Sequence, residues 1–300
     1  MIVRKDPFLQ GAIDFHIHSG PDTHPRYASC LELARQARDA GMRAIVLKDQ
    51  MTQSIHKAYF VNKYVAGIQA FGGITLNRMV GGYDIRTVEF ACRLGAKVIW
   101  FATHDSGYTI ESAKKGHYDA IYVKAFSFGY DVEPLCVLNR ERTDLLPEVK
   151  RIIETIARYG VILQTAHIDP EEALAVARYC KRIGYKKLVV THVNSFLDEY
   201  TDDVIAELIR NGAMIELSYS DMVPRHARQD PRVCAQLVDK FGPKNCILES
   251  DLGTWENVSP TEGLRCFCHY LAYCGIPADY IHMMVKDNPA RLLDLEPREK

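Results

Sequence analysis

No window of the chain approaches the roughly 18 to 20 consecutive apolar side chains that a membrane-spanning helix requires. Met1 to Gln10, which carries Arg4, Lys5 and Asp6, lacks the apolar run of about seven residues that a secretion signal needs. Basic residues never run longer than a pair, and 37 Lys and Arg against 38 Asp and Glu leave a formal net charge of -1. Neither a nucleic acid nor an anionic membrane is therefore an expected partner. Cysteine pairs at zinc-finger spacing are missing as well: the 9 cysteines are odd in number and scattered, and Cys266 and Cys268 have no second pair beside them. That excludes a disulfide scaffold and predicts reduced thiols in a cytoplasmic protein. Hydrophobic residues at 47% and charged residues at 25% exclude disordered and collagen-like chains. With no Pro/Ser-rich linker, residues 1–300 are expected to form a single domain.

What the chain does contain is an alternation of short β-branched runs with helical patterns, the mark of strand-helix units on a parallel sheet. Eight strands are expected: Ala12–His18, Arg43–Lys48, Phe71–Leu76, Lys97–Thr103, Val161–His167, Lys187–His192, Ala213–Ser218 and Cys246–Asp251. Between them, segments such as Ser29–Ala40, Ile85–Leu94, Glu148–Tyr159, Glu171–Ile183 and Asp203–Arg210 repeat apolar residues at intervals of three and four, as amphipathic helices do. Gly41, Gly95, Gly160, Gly184 and Gly212 stand where those helices should end. The pattern predicts an α/β fold, a (β/α)8 TIM barrel. Strand starts are mostly 25 to 35 residues apart, but roughly 64 separate the fourth from the fifth. An insertion over residues 105–144 is expected there, with Ala120–Phe126 and Leu135–Leu138 forming a hairpin that serves as a lid or pocket wall. Asn288 followed by Pro289 predicts an N-cap and a short final helix.

The first strand reads Ile13-Asp14-Phe15-His16-Ile17-His18, so His16 and His18 should project together while Phe15 and Ile17 face the other way. Two imidazoles at that spacing can chelate one divalent cation. His167, His192 and Asp251 close the fifth, sixth and eighth strands, and in a parallel barrel all those carboxyl ends meet at one mouth. Imidazoles with one carboxylate suit zinc first, with iron, manganese or nickel as alternatives.

These residues together, with Ser250 beside Asp251 and the tail Asn288-Pro289-Ala290-Arg291-Leu292-Leu293, resemble the amidohydrolase superfamily of metal-dependent hydrolases over nearly the whole chain, from Asp14 to Leu293. Lys48-Asp49, Gly72 to Asn77 and Gly81-Gly82 are similar to an uncharacterised branch of it. The resemblance implies His16, His18 and His167 as metal ligands, with Asp251 as both ligand and acid/base. His192 would ligate a second metal or polarise the substrate. Two-metal members carry a bridging carboxylate or carboxylated lysine at the end of strand four, where this chain has Thr103-His104. Lys124 is the alternative bridge, some 20 residues too late, so one ion is favoured over two.

Lys48 and His104 end strands at the expected mouth and Asn77 and Arg78 follow the third, which makes all four candidate substrate contacts. Tyr83, Tyr108, Phe126, Phe128 and Tyr130 could wall a ring or acyl substrate or pack on one another. His24, His117, His226, His269 and His282 are read as solvated or structural, and His56 as able to reach the mouth. The function expected first is hydrolysis of a C–N or C–O bond in a small cyclic amide, lactone or ester. Decarboxylation of an aromatic or unsaturated acid on the same metal is second, and a non-catalytic barrel that binds a ligand is third. A homo-oligomer is compatible with all three.

Overall fold

The computed structural model describes residues 5–116, 127–196, 199–224 and 229–296. Its strands are β1 Ile13–Ile17, β2 Ala44–Leu47, β3 Gln69–Phe71, β4 Gly73–Thr75, β5 Val98–Trp100, β6 Ile162–Gln164, β7 Leu188–Val190, β8 Met214–Ser218 and β9 Cys246–Glu249. The helices are α1 Cys30–Asp39, α2 Ile55–Tyr64, α3 Ile85–Leu94, α4 Gly107–Lys114, α5 Pro147–Tyr159, α6 Pro170–Arg182, α7 Asp202–Arg210, α8 Pro231–Phe241, α9 Pro260–Tyr273, α10 Ala278–His282 and α11 Asn288–Leu292. Every expected strand is present, in an α/β fold whose ladders are all parallel and run in sequence order, β1-β2-β3 and then β4 through β9.

The expected third strand is broken in two, and glycine is the reason. A side chain on Gly72 would meet the Ser54 carbonyl oxygen at 2.5 Å, and one on Gly73 would meet the Val98 carbonyl oxygen at 1.8 Å. The chain entering α2 crosses this point, with Ser54 Oγ donating to the Leu47 carbonyl at 2.6 Å and accepting from Gly73 N–H at 2.9 Å. At the other end, Asp251 N–H donates to the His16 carbonyl at 3.0 Å and His18 N–H to that of Leu252 at 2.8 Å. The last strand is thereby tied to the first.

Helix starts follow local capping chemistry. Ser29 with Glu32 and Asp169 with Glu172 form reciprocal capping boxes on α1 and α6, and Pro170 sits at the first position of α6. Gly95 and Gly160 close α3 and α5 in the left-handed conformation. Asn288 behaves otherwise than expected. Its backbone is helical (φ -63°, ψ -50°) and continues a π-turn from Met283–Asp287, so it is no N-cap. Its amide instead donates to the carbonyls of Pro243 and Cys246, both at 2.8 Å, which pins the closing helix under β9.

Two apolar layers fill the fold. The larger lies between strands and helices and takes in Ile17, Ile45, Leu47, Ile99, Leu163, Val190, Ile215, Leu217 and Leu248. The smaller lies on the opposite face of the strands and holds Ile13, Phe15, Ala44, Val46, Val98, Trp100, Ile162, Val189, Met214 and Ile247. Phe15 and Ile17 thus fall into different layers, against simple alternation, because the β1–β2 register slips between Asp14 and Ile17. Such a bulge re-aims the residues beyond it, and those residues are His16 and His18.

Of the expected insertion hairpin, Ala120–Phe126 lies outside the described residues. So do Lys124, His117 and His226. The arm Leu135–Leu138 pairs by single bridges with Ser106 and Leu145, and the segment opens with α4 rather than with a strand. Among the described residues no helix is long and apolar enough to cross a membrane.

Candidate metal centre

Three chain turns bring the chemistry together. Ala166, His192 and Asp251, just beyond β6, β7 and β9, have left-handed backbones with φ of 50°, 48° and 48°. That conformation costs a residue with a Cβ roughly 1 to 2 kcal/mol. Its recurrence at the ends of three of the strands marks places where the packing imposes the side-chain direction.

His16, His18 and His192 all aim Nε2 at one carboxylate. The distances are 3.0 Å from His18 to Asp251 Oδ1, 3.4 Å from His16 to the same oxygen and 3.6 Å from His192 to Oδ2. The rings of His16 and His192 stack with centroids 4.9 Å apart. Two rings are held from behind by Nδ1, His18 on the Lys48 carbonyl at 3.0 Å and His192 on Glu249 Oε1 at 3.2 Å, while His16 Nδ1 faces Glu216 Oε2 at 3.6 Å, beyond hydrogen-bond reach. The Asp251 side chain keeps 21% exposure against 0 to 8% for the three imidazoles, so it stands nearest the opening. Ser220 Oγ donates to its Oδ2 at 3.1 Å.

The donor atoms define what belongs between them. A carbonyl oxygen only accepts, so His18 Nδ1 must carry the proton, and a neutral ring then presents a lone pair at Nε2. That lone pair faces a carboxylate oxygen 3.0 Å away. Two acceptors so placed call for a cation between them. Two ligands about 2.1 Å from one tetrahedral ion lie about 3.4 Å apart, within the 3.0 to 3.6 Å span observed. His16, which is fully buried, has no hydrogen-bond partner at either nitrogen. The residues fit a divalent cation.

Burial pushes His16, His104 and His167 well below the usual imidazole range, lowers His18 and brings His192 down to about 4, so the rings are neutral and able to ligate near pH 7. Burial alone would raise the Asp251 carboxyl. Attraction from the rings of His16, His192 and His18 in their charged form outweighs it and draws the carboxyl well below the ordinary range, a part a bound cation would take over once the rings are neutral. Deeper in, burial pushes Glu216 and Glu249 well above the ordinary carboxyl range and Asp14 up to about 7. Lys48 is brought down to about 8 by burial, against the pull of Asp251, Glu216 and Glu249. Its ammonium lies 5.8 Å from the centre of the Trp100 ring, and no carboxylate is within 4.0 Å of it among the described residues.

His167 stands beside this group rather than inside it. Its ring centroid is 5.7 Å from that of His192, and Nδ1 lies 3.3 Å from Thr109 Oγ1. The groups whose ligand atoms all lie within 4.8 Å of one another are His16, His18 and Asp251, and His16, His192, Glu216 and Glu249. His104 adjoins His167, with ring centroids 6.5 Å apart. Asn77 spends its amide on backbone, donating to Gln50 O and accepting from Thr103 N–H and Asp105 N–H. Arg78 reaches outward to Glu133. Tyr83 packs edge-on against Phe101 and Tyr108 against Phe196, whereas Phe128 and Tyr130 are exposed. Phe126 is outside the described residues. His269 pairs with Asp6 at 2.7 Å, and both His269 and His282 lie against Phe8. His56 Nδ1 meets Gln53 at 2.5 Å.

Glu216 and Glu249, both fully buried, do not stand out from strand ends alone. The available signal was parity. Glu249 is two residues before Asp251, and Glu216 lies between Met214 and Ser218 on the inward face of β8.

Comparison with known proteins bears on the fold. A solved amidohydrolase from Pseudomonas aeruginosa superposes with a TM-score of 0.61 at 11% identity, covering 95% of this chain and 97% of that one. An N-acetyl-D-glucosamine-6-phosphate deacetylase from Mycobacterium smegmatis gives 0.58 at 13% identity, over 95% and 76%. A mutant organophosphorus hydrolase from Deinococcus radiodurans gives 0.55 at 15%, over 95% and 94%. At these identities the likeness establishes a shared fold, in keeping with the resemblance seen in the sequence. No curated protein matches the chain. Residues 11–216, from the turn before β1 to Glu216, match the pattern of a described family, and the chain accordingly belongs to the "Family of unknown function (DUF6282)".

Proposed function

We propose that the protein is a metal-dependent hydrolase of the amidohydrolase type, its two sheets being parts of one (β/α)8 barrel, and that it cleaves a C–N or C–O bond in a small cyclic amide, lactone or ester. The observation that carries this reading is the convergence of three Nε2 atoms on the two oxygens of Asp251, acceptor facing acceptor. His16, His18, His192 and Asp251 would hold the ion, zinc first among candidates, with His167 closing the set from the His192 side. When bound, such an ion lowers the pKa of water and polarises a carbonyl.

The chain's own residues supply the remainder. Asp251, ionised and nearest the opening, takes a proton from the attacking water and returns it to the leaving group. The hydrogen bond from Ser220 fixes its Oδ2. As a ligand His192 presents a lone pair at Nε2, so support of a developing oxyanion would fall to the cation and to the Lys48 ammonium. Lys48 and His104 are proposed to contact the substrate, with Asn77 and Arg78 shaping the loops beside them. One ion is favoured over two, since beyond β5, where two-metal members carry a bridging carboxylate, this chain has Thr103-His104.

The test is to strip the protein with a chelator, restore zinc, manganese or nickel, and assay lactones, cyclic amides and esters while following CO2 release from aromatic acids separately. Metal-dependent ring opening is expected. Asp251→Asn should lower kcat by about 10^2 to 10^4. CO2 release without hydrolysis, or unchanged turnover in Asp251→Asn, would overturn the assignment.

A further inference from the structure

Glu216 and Glu249 occupy an unusual position. Both side chains are 0% exposed, Glu216 in the middle of β8 and Glu249 at the end of β9, among Met214, Ile215, Leu217, Cys246, Ile247 and Leu248. A buried carboxylate is costly unless it is fully partnered. Yet Glu216 Oε2 and Glu249 Oε2 have no hydrogen-bond partner, and their other oxygens meet Gln164 Nε2 at 3.3 Å and His192 Nδ1 at 3.2 Å. Fold stability gains little from such an arrangement, so its use lies elsewhere.

The use is written in the direction of the imidazoles. Glu249 Oε1 lies 3.2 Å, and Glu216 Oε2 3.6 Å, from His192 Nδ1. Glu216 Oε2 is also 3.6 Å from His16 Nδ1. The pair therefore sits behind both stacked rings, on the side away from Asp251. A neutral imidazole has one N–H and one lone pair. A cation bound beyond the rings would offset the burial that raises these carboxyls; ionised, they draw the proton to Nδ1 and set the lone pair at Nε2, the nitrogen that faces Asp251.

Resting on the metal-centre reading above, we infer that Glu216 and Glu249 are positioning residues that fix the tautomer and orientation of His16 and His192 for cation binding. Gln164 extends the brace: it donates to Glu216, while its Oε1 accepts from Trp100 Nε1 at 2.8 Å and Thr191 Oγ1 at 3.0 Å. The same four groups could instead hold an ion of their own, since their ligand atoms lie within 4.8 Å of one another. Ligation there would need Nδ1 lone pairs, and so would remove His16 and His192 from the group around Asp251.

The experiment compares wild type with Glu249→Gln, Glu249→Leu, Glu216→Gln and Glu216→Leu. It measures zinc affinity by competition with a chelating dye, the visible spectrum of the cobalt-loaded protein, ions bound per chain, and thermal stability of the metal-free form. Outer carboxylates behind ligating histidines are worth about 10- to 100-fold in metal affinity. The Leu variants are expected to lose that much and the Gln variants, which keep an acceptor, less, with an altered cobalt spectrum and metal-free stability equal to wild type or higher. A merely structural role predicts the reverse, lower metal-free stability at unchanged affinity, and that result overturns the inference. So does wild type with two ions against one in the variants. Should the Leu variants not fold, the Gln variants decide by the same readouts. Wild type that binds no divalent ion overturns the metal-centre reading itself, a failure distinct from variants that bind as wild type does.

Discussion

Gly253 shows how little room the centre leaves for a single atom. Its φ is +134°, and a Cβ there would lie 1.9 Å from the His18 carbonyl oxygen, while its own carbonyl accepts from Tyr27 N–H at 2.8 Å. Gly253→Ala is therefore expected to destabilise the fold by about 2 to 4 kcal/mol and to weaken metal binding by displacing His18, as checked by thermal denaturation and dye competition. Wild-type stability in that variant would show that the loop yields. At this scale the sequence was readable where chemistry stands at the end of a strand: His16, His18, His192 and Asp251 announce themselves by position. Glu216 and Glu249 do not. One acidic residue within an apolar strand acquires meaning only when the facing histidines are known, and those come from β1 and from the turn after β7.

Helix α6 carries a burden beyond its own cap. Glu172 closes the capping box with Asp169 and also accepts from the backbone N–H of Val137 at 2.7 Å, tying the helix to the excursion between β5 and β6. Burial pushes its carboxyl up from 4.5 to about 7. A carboxyl raised on folding binds its proton more tightly in the folded state. Its contribution to stability is complete below about pH 4.5 and is lost as pH rises to about 7. At 1.36 kcal/mol per pKa step the loss is about 3 kcal/mol. Glu172→Gln should then show a flatter stability profile from pH 5 to 8 than wild type in urea unfolding, and parallel profiles would refute the assignment. The helices themselves were legible because periodicity, caps and terminal glycines are local properties. The division of the third strand at Gly72 and the bulge in β1 were not, since both depend on which backbone crosses or pairs with the strand.

For the molecule as a whole, a cation held by residues from β1, β7 and β9 should bind the folded chain alone. At an ion concentration 100 times Kd, the stabilisation is about 2.7 kcal/mol, or roughly 4 °C in Tm for a chain of 300 residues. The shift should disappear with chelator and shrink in Asp251→Asn. No shift with zinc, manganese, nickel or iron would leave the fold without its proposed centre. The sequence alone determined the alternation of strands and helices and the residue types at the strand ends, because hydrophobic period, capping and turn chemistry act over a few neighbours. Tertiary structure alone decided which of those side chains meet, which nitrogen of each imidazole points inward, and that two glutamates lie behind them. These depend on register and closure, which join residues more than 200 positions apart: the contact between His18 and Asp251 spans 233.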